Sequence, residues 1–283
     1  MIDYEVEYNN RARVPEHAEI FARWQRDAAA YRERMKADEN AELGLAYGAS
    51  PRQKVDLFFP DATGHTPLAL FVHGGYWRSL DASTFSHISA GLSSCGVAVA
   101  VAGYDLCPQV TIAQIINQIR TACLFLWRRF GQRLMVYGHS AGGHLAACMV
   151  ATDWKQLDPK APADLVPAGY SISGLFDLKP LAATSMNADL KLNDAAAARN
   201  RPPQRRDLRG RVFDAVVGGA ESAEVLRQSR IVADDWRQRG VETRYEAVPG
   251  ANHFTVIDPL SDPNSAMTAR VAALAARCAK VDK

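Results

Sequence analysis

The feature that most constrains this chain is a serine that stands between a short apolar run and an alanine-rich run. Residues 134–137 are apolar and of strand length, and the alanine-rich run has helical spacing. The stretch therefore predicts a strand, a tight turn and a helix, with Ser140 at the turn. Gly138 and Gly142 flank the serine, which suits a strained turn in which strand and helix approach too closely for a Cβ. Such a turn exposes the Ser140 hydroxyl, and the N–H of Ala141 at the helix start can face an oxyanion.

The Gly-x-Ser-x-Gly pattern alone also fits a small-residue turn that has no chemical role. Its surroundings favour the chemical interpretation: a buried-strand pattern precedes it, a helix follows it, and the other groups that a nucleophilic serine needs lie on the correct sides of it in the chain.

Strand and helix patterns alternate through most of the 283 residues. This alternation predicts an α/β fold, a mostly parallel sheet with helices on both faces in a single domain over residues 1–283. Alternation predicts a strand at 54–59, apolar runs predict strands at 67–72, 97–102, 134–137, 168–173 and 213–217, and a last strand is expected near 243–248. Helical spacing predicts helices at 111–130, after Ser140, at 223–239 and from about 264.

Two segments stand outside this alternation. Residues 1–47 are predicted to form an N-terminal helical segment whose apolar face repeats at Ile20, Trp24 and Ala28 and continues to 35. The segment either covers a site as a cap or packs on the edge of the sheet, since periodicity shows burial and not purpose. Residues 182–211 lack a strand period and are predicted to be an excursion over the active-site face.

Composition excludes several classes of function. Lys and Arg number 33 against 31 Asp and Glu, so neither nucleic acid nor an anionic membrane surface is an implied partner. The start of the chain lacks a leader pattern and no segment has the length of a membrane span, which predicts a cytoplasmic protein. The five cysteines form no Cys-x-x-Cys pair, and the chain has no phosphate-loop, dinucleotide or paired-histidine pattern. Neither a metal nor a cofactor is predicted.

A second glycine motif follows the predicted strand at 67–72. Gly74 and Gly75 can turn their backbone N–H groups outward, as in an ordinary loop or as in the second half of an oxyanion hole. With Ser140 downstream, the oxyanion interpretation is favoured, because that hole takes an N–H from an earlier loop. Tyr76 and Trp77 would then stand at the mouth of the site as substrate contacts.

A serine nucleophile needs a base and a carboxylate that orients the base. His253 is the predicted base, because it follows the last strand and comes late in the chain. Glu221 is the predicted orienting acid, since it follows a strand end and two glycines between the serine and the histidine. Asp177 is the alternative on the same edge, whereas Asp214 falls inside a strand pattern. The remaining histidines lie in predicted surface segments, in a helix start, beside Ser140 or before the glycine pair: His17, His65, His73, His87, His139 and His144.

Several motifs together resemble the serine-hydrolase type of kynurenine formamidase, an α/β-hydrolase. They are His-Gly-Gly-Tyr-Trp at 73–77, Tyr104-Asp105 with Pro108, the 125–130 segment, Gly-His-Ser-Ala-Gly-Gly-His-Leu-Ala-Ala, residues 173–178 with Pro180-Leu181, Glu221-Ser222 with Arg227-Gln228-Ser229, and Asn252-His253-Phe254. The resemblance covers most of the chain and includes Tyr8-Asn9 and Arg13-Val14-Pro15.

The resemblance implies that Ser140 is the nucleophile, His253 the base and Glu221 the acid, with the N–H groups of Gly74, Gly75 and Ala141 as oxyanion donors. Two positions depart from the family. Glu221 stands where Asp is usual, which requires the loop to sit slightly further back, and Arg201 precedes Pro202 where Ser is common, which concerns the substrate pocket.

The leading hypothesis is cleavage of an N-formyl arylamine such as N-formylkynurenine through a formyl-enzyme, with Tyr76, Trp77 and Phe254 against the aryl group. A carboxylesterase acting on short-chain or aryl esters uses the same machinery, so the sequence leaves it as an alternative. A third class, an inactive hydrolase that serves as a binding module, is disfavoured because every position of the machinery is filled. A small-molecule substrate is the expected partner, and assembly as a homodimer is left open.

Overall fold

The computed structural model describes residues 2–62, 64, 66–202 and 208–279. Its core is a sheet of eight strands, which are β1 Ala41–Ala46, β2 Lys54–Phe58, β3 Leu68–Val72, β4 Ala98–Ala102, β5 Met135–His139, β6 Ala168–Ile172, β7 Val212–Gly218 and β8 Glu242–Val248. Their order is β1-β2-β4-β3-β5-β6-β7-β8. The pairs β1/β2 and β2/β4 are antiparallel, and the strands from β4 to β8 in that order pair in parallel. The predicted α/β architecture with a mostly parallel sheet is confirmed.

The helices of the described residues are α1 Tyr4–Tyr8, α2 Asn10–Arg13, α3 His17–Ala37, α4 Ser89–Ser94, α5 Ile112–Phe130, α6 Ala141–Val150, α7 Trp154–Leu157, α8 Asn187–Leu190, α9 Asp194–Asn200, α10 Ala223–Arg237 and α11 Ala266–Ala279. Short 3₁₀ segments occupy Ala82–Ile88, Lys179–Ala183 and Thr255–Ser261. No helix among the described residues combines the length and the apolarity needed to cross a bilayer.

Both faces of the sheet are covered, as the apolar runs predict. In β3, Leu68, Leu70 and Val72 belong to the apolar cluster that contains α5, α6 and α10, while Ala69 and Phe71 belong to the cluster that contains α3, α4 and α11. A strand covered on both sides has no solvent face and reads as a continuous apolar run. The carboxyl ends of the parallel strands consequently meet at one edge between the two helical layers.

The N-terminal segment contains a strand as well as helices. α3 buries Ile20, Trp24, Ala28, Tyr31 and Met35, the five positions that the spacing indicates. However, residues 41–46 form β1 and pair with β2, so the expectation that residues 1–47 are helical is wrong at that end. Gly44 lies at φ 72° where the β1 register shifts, and a short, half-exposed edge strand with this break shows no clear alternation of apolar and polar residues.

In the predicted excursion at 182–211, the structure places α8 and α9; residues 203–207 of that stretch lie outside the described part.

Candidate active site

Five loops meet at the carboxyl edge of the parallel strands. They follow β3, β5, β6, β7 and β8 and carry Gly74, Ser140, Ser173, Glu221 and His253. Residues far apart in sequence therefore come together because parallel strands end on the same side of the sheet.

Ser140 occupies the sharp turn between β5 and α6. Its backbone lies at φ 56° and ψ −117°, a region that a residue with a side chain adopts only under strain of about 1–3 kcal/mol. A Cβ on Gly142 would overlap the Val72 carbonyl oxygen, and one on Gly138 would overlap the Gly142 carbonyl oxygen. The two flanking glycines are therefore required by close approach of strand and helix. The Ser140 N–H donates to the Ile172 carbonyl (2.8 Å), which anchors the turn to β6.

His253 and Glu221 form a buried pair beside this turn. His253 Nδ1 lies 2.5 Å from Glu221 Oε2, and the two side chains are 5% and 1% exposed. With Nδ1 donating to the carboxylate, His253 Nε2 is left unprotonated and able to accept a proton. His253 and Ser140 line the same cavity.

The other Glu221 oxygen is also held. Oε1 accepts from the Gly218 N–H (2.8 Å) and from the Ser173 hydroxyl. Glu221 therefore bridges two donors at the strand ends and the histidine. The longer side chain of Glu, compared with Asp, fits this span. Asp177 lies instead near Arg227 (3.7 Å), and Asp214 pairs with Arg270 (2.7 Å), so neither contacts His253.

Three backbone N–H groups face no internal acceptor. Those of Gly74, Gly75 and Ala141 donate to no residue in the described part of the chain. A Cβ on Gly74 would lie 3.0 Å from Ser140 Cβ, and Gly75 lines the cavity with Ser140 at φ 106°. Ser140 Oγ likewise has no hydrogen-bond partner among the described residues. Free donors beside a free hydroxyl suit an anion that forms during reaction.

Three buried histidines near Ser140 are neutral at physiological pH. Burial lowers the pKa of His73 to about 4 and that of His144 to about 4, and burial together with the neighbouring His253 holds the pKa of His139 well below 6.5. His139 Nε2 donates to the His253 carbonyl (2.8 Å), and His73 stacks on Tyr104 with ring centroids 4.3 Å apart. These rings shape the loops, whereas His65 lies outside the described residues.

The cavity above Ser140 has a second wall made by the N-terminal segment. Residues of α1, α2 and α3 line it together with the loop after β3 and residues 185–186. Phe21 and Phe254 meet edge to face at 5.0 Å between centroids, and Trp24 lies 5.2 Å from Phe21. Both sequence interpretations of residues 1–47 have a counterpart here: part of the segment lines the cavity, and α3 also packs on the sheet, with Tyr31 5.1 Å from Phe58 of β2 between ring centroids.

Comparison with known proteins agrees with this geometry. The α/β-hydrolase fold family matches residues 69–257, which is more than half of the chain. A kynurenine formamidase of Salmo salar is 30% identical over 83% of this chain and 82% of its own length. The chain belongs to the α/β-hydrolase family. It is an enzyme of the hydrolase class and a homologue of the kynurenine formamidases.

Solved structures extend the likeness of this hydrolase. A protein described as a candidate thioesterase from Silicibacter superposes with a TM-score of 0.86 at 35% identity, covering 96% of this chain and 99% of its own. An esterase of the bacterial hormone-sensitive lipase family gives a TM-score of 0.68 at 18% identity over 94% and 99%. The latter likeness shows the fold alone.

Of the three predicted substrate contacts of this hydrolase, the structure places two in the cavity wall and one in the core. Tyr76 and Phe254 line the cavity, but Trp77 does not. Trp77 is fully buried and packs edge to face on His144 at 5.2 Å. Tyr76 and Trp77 have positive φ values of 52° and 56°, and this backbone turn places the first side chain in the cavity wall and the second in the core.

Sequence analysis did not identify several cavity residues of this hydrolase as site residues. Tyr8 is one of them: its hydroxyl donates to Glu224 (2.9 Å) and accepts from Gln228 Nε2 (2.9 Å), which fastens α1 to α10. The only signal in the sequence was the Tyr8-Asn9 and Arg227-Gln228 resemblance. Phe21 and Trp24 could be assigned to a helix but not to a cavity. Arg201, expected to affect the pocket, is not among the described cavity residues.

Proposed function

We propose that this hydrolase cleaves an N-formyl arylamine such as N-formylkynurenine, releasing the arylamine and formate. The observation that carries the proposal is the cavity itself, in which Ser140 and His253 face an aromatic wall of Phe21, Trp24 and Phe254. Similarity to kynurenine formamidases over most of both chains supports the same substrate class.

In the proposed reaction Ser140 Oγ attacks the formyl carbon while His253 Nε2 takes the hydroxyl proton. The negative charge that develops on the formyl oxygen is stabilised by the N–H groups of Gly74, Gly75 and Ala141. His253 then passes the proton to the arylamine nitrogen as the C–N bond breaks, which leaves a formyl ester on Ser140. Water, deprotonated by His253, attacks that ester and releases formate.

Glu221 holds His253 in the tautomer and orientation that both halves of this cycle require. Its Oε2 accepts from His253 Nδ1 (2.5 Å), so the imidazole presents Nε2 to Ser140 and its positive charge is balanced when it carries two protons. Gly218 and Ser173 hold Oε1 and prevent the carboxylate from rotating away.

The test is a comparison of acyl groups and leaving groups on one enzyme. We expect kcat/KM for N-formylkynurenine of roughly 10⁴ M⁻¹s⁻¹ or more, the range of a working enzyme on its own substrate. Rapid acid quenching should show a mass increase of one formyl group on the peptide that carries Ser140, and the Ser140→Ala variant should show none.

A carboxylesterase is the second candidate, favoured by the likeness to a candidate thioesterase at 35% identity. p-Nitrophenyl acetate, p-nitrophenyl butyrate and a short-chain acyl thioester distinguish it. Turnover of those acyl compounds without turnover of N-formylkynurenine would keep the machinery and reject the formamide as substrate.

A further inference from the structure

The charged side chains of the cavity are divided into paired and unpaired groups. Arg78 pairs with Asp189 at 2.5 Å. Glu5 accepts from the Ser185 N–H (2.7 Å) and the Ser185 hydroxyl (2.8 Å), both neutral donors. Arg11 lies over the Phe21 ring at 5.6 Å. Within the described part of the chain, Arg11 contacts no carboxylate and Glu5 contacts no cation. The cavity wall therefore offers one positive and one negative group whose charges no neighbour balances.

The two groups come from adjacent elements of the cap. Glu5 lies in α1 and Arg11 in α2, and both line the cavity that contains Ser140. The Tyr8 hydrogen bonds to Glu224 and Gln228 fix α1 against the body of the molecule, and Tyr76 Oη donates to the Tyr8 carbonyl (2.6 Å). The helix that carries Glu5 is thus fixed beside the aromatic wall, and Arg11 extends over the Phe21 ring of that wall.

We infer that Arg11 and Glu5 select a substrate that carries a free α-amino acid group beyond its aryl ring. Arg11 donates to the α-carboxylate and Glu5 accepts from the α-ammonium, while the ring lies against Phe21. The inference rests on the proposed function, because it places the aryl formamide at Ser140. Loss of one of these charge-assisted hydrogen bonds is expected to lower kcat/KM by roughly 10- to 100-fold.

These contacts are remote from the bond that breaks. They are present in the bound substrate and in the transition state alike, so their loss raises KM and leaves kcat nearly unchanged. Arg11 is exposed, and salt therefore weakens its contribution. A neutral formanilide engages neither group and gives a baseline for the chemistry.

The experiment uses three substrates and four variants of the full chain. The substrates are N-formylkynurenine, its analogue without the amino group, and formanilide. Arg11→Gln removes the cation, Arg11→Lys restores it, and Glu5→Gln removes the carboxylate. Arg26→Gln is the matched control, since Arg26 lies in α3 of the same N-terminal segment and is exposed without lining this cavity.

Arg11→Gln is expected to raise KM roughly 10- to 100-fold for both carboxylate substrates and to leave formanilide within about twofold. Arg11→Lys should recover part of the loss. Glu5→Gln should affect N-formylkynurenine alone among the three, and Arg26→Gln should affect none.

The inference is overturned if Arg11→Gln lowers all three activities equally, or if the wild-type enzyme cleaves formanilide as efficiently as N-formylkynurenine. In either case the formamide chemistry still stands. If the wild-type enzyme cleaves none of the three formamides, the proposed function fails and the inference fails with it.

Discussion

The two walls of the cavity differ in burial and in how their polar groups are held. On the sheet side, Ser140 and His253 are 1% and 4% exposed, and Glu221 has a partner on both oxygens. On the cap side, Arg11 is exposed and Glu5 half-buried, with only neutral partners. Groups that must be held in one geometry are fixed by strand ends and backbone. Groups that select among substrates can remain hydrated until the substrate arrives, because their energy comes from binding rather than from orientation. Substitutions on the sheet side are therefore expected to lower kcat, and substitutions on the cap side are expected to raise KM.

The largest effect is expected from Ser140→Ala on the sheet side. Without the nucleophile no acyl-enzyme forms, and kcat should fall by roughly 10⁶-fold for formamides and esters alike. The measurement is steady-state turnover of N-formylkynurenine and p-nitrophenyl acetate with a check of the thermal unfolding midpoint. Activity close to that of the wild type in the folded variant would reject the proposed chemistry.

Glu221→Gln is expected to have the next largest effect. The amide keeps the size of the side chain but removes the charge and favours the wrong histidine tautomer, so kcat should fall by roughly 10⁴-fold with little change in KM. Asp177→Asn is the matched control, because Asp177 follows a strand at the same edge without contacting His253. A larger loss in the control than in Glu221→Gln would exchange the assignments.

Tyr76→Phe tests the hydrogen bonds that link the cap side of the cavity to the sheet side. The hydroxyl donates to the Tyr8 carbonyl (2.6 Å) and accepts from Asn10 Nδ2 (3.1 Å), so its removal leaves buried Asn10 without this partner and loosens the cap. We expect a roughly 10-fold rise in KM for N-formylkynurenine with kcat within about twofold. A fall in kcat at unchanged KM would place Tyr76 with the chemistry and break the division between the walls.

The smallest expected effect is on the pH dependence of the unfolding free energy, through the buried His144 on the sheet side. Burial lowers the pKa of His144 to about 4, so the folded protein keeps this ring neutral where the unfolded chain binds a proton. Its contribution to stability is complete above the unfolded pKa of about 6.5 and is lost as pH falls towards 4. Unfolding free energies of His144→Gln, measured by urea denaturation between pH 7 and 5, should fall less steeply than those of the wild type by about 1 kcal/mol per pH unit. Equal slopes would contradict the buried, neutral assignment.

The sequence could predict the elements that depend on local pattern. A central parallel strand such as β3 shows a continuous apolar run because helices cover both of its faces, and α3 could be predicted because five apolar residues recur at helical spacing. The turn at Ser140 could be predicted because it is flanked by glycines, and only glycine fits where strand and helix approach this closely.

Other features depended on contacts that no local pattern encodes. β1 is a strand because β2 pairs with it, although its own sequence is interrupted by Gly44 and shows no alternation. Trp77 enters the core because positive φ values turn the loop after β3, and residues with side chains give no sign of such a backbone in advance.

The sequence by itself determined which residue types stand at the ends of which strands, and so offered Glu221 as the acid with Asp177 as the alternative. Tertiary structure decided which acid contacts His253. β7 lies next to β8 in the sheet and β6 one strand further, so the loop after β7 reaches the loop after β8 and brings Glu221 to the histidine. The order of strands is set by packing across the whole sheet, and the charges of the cap likewise come to line the Ser140 cavity only through tertiary contacts.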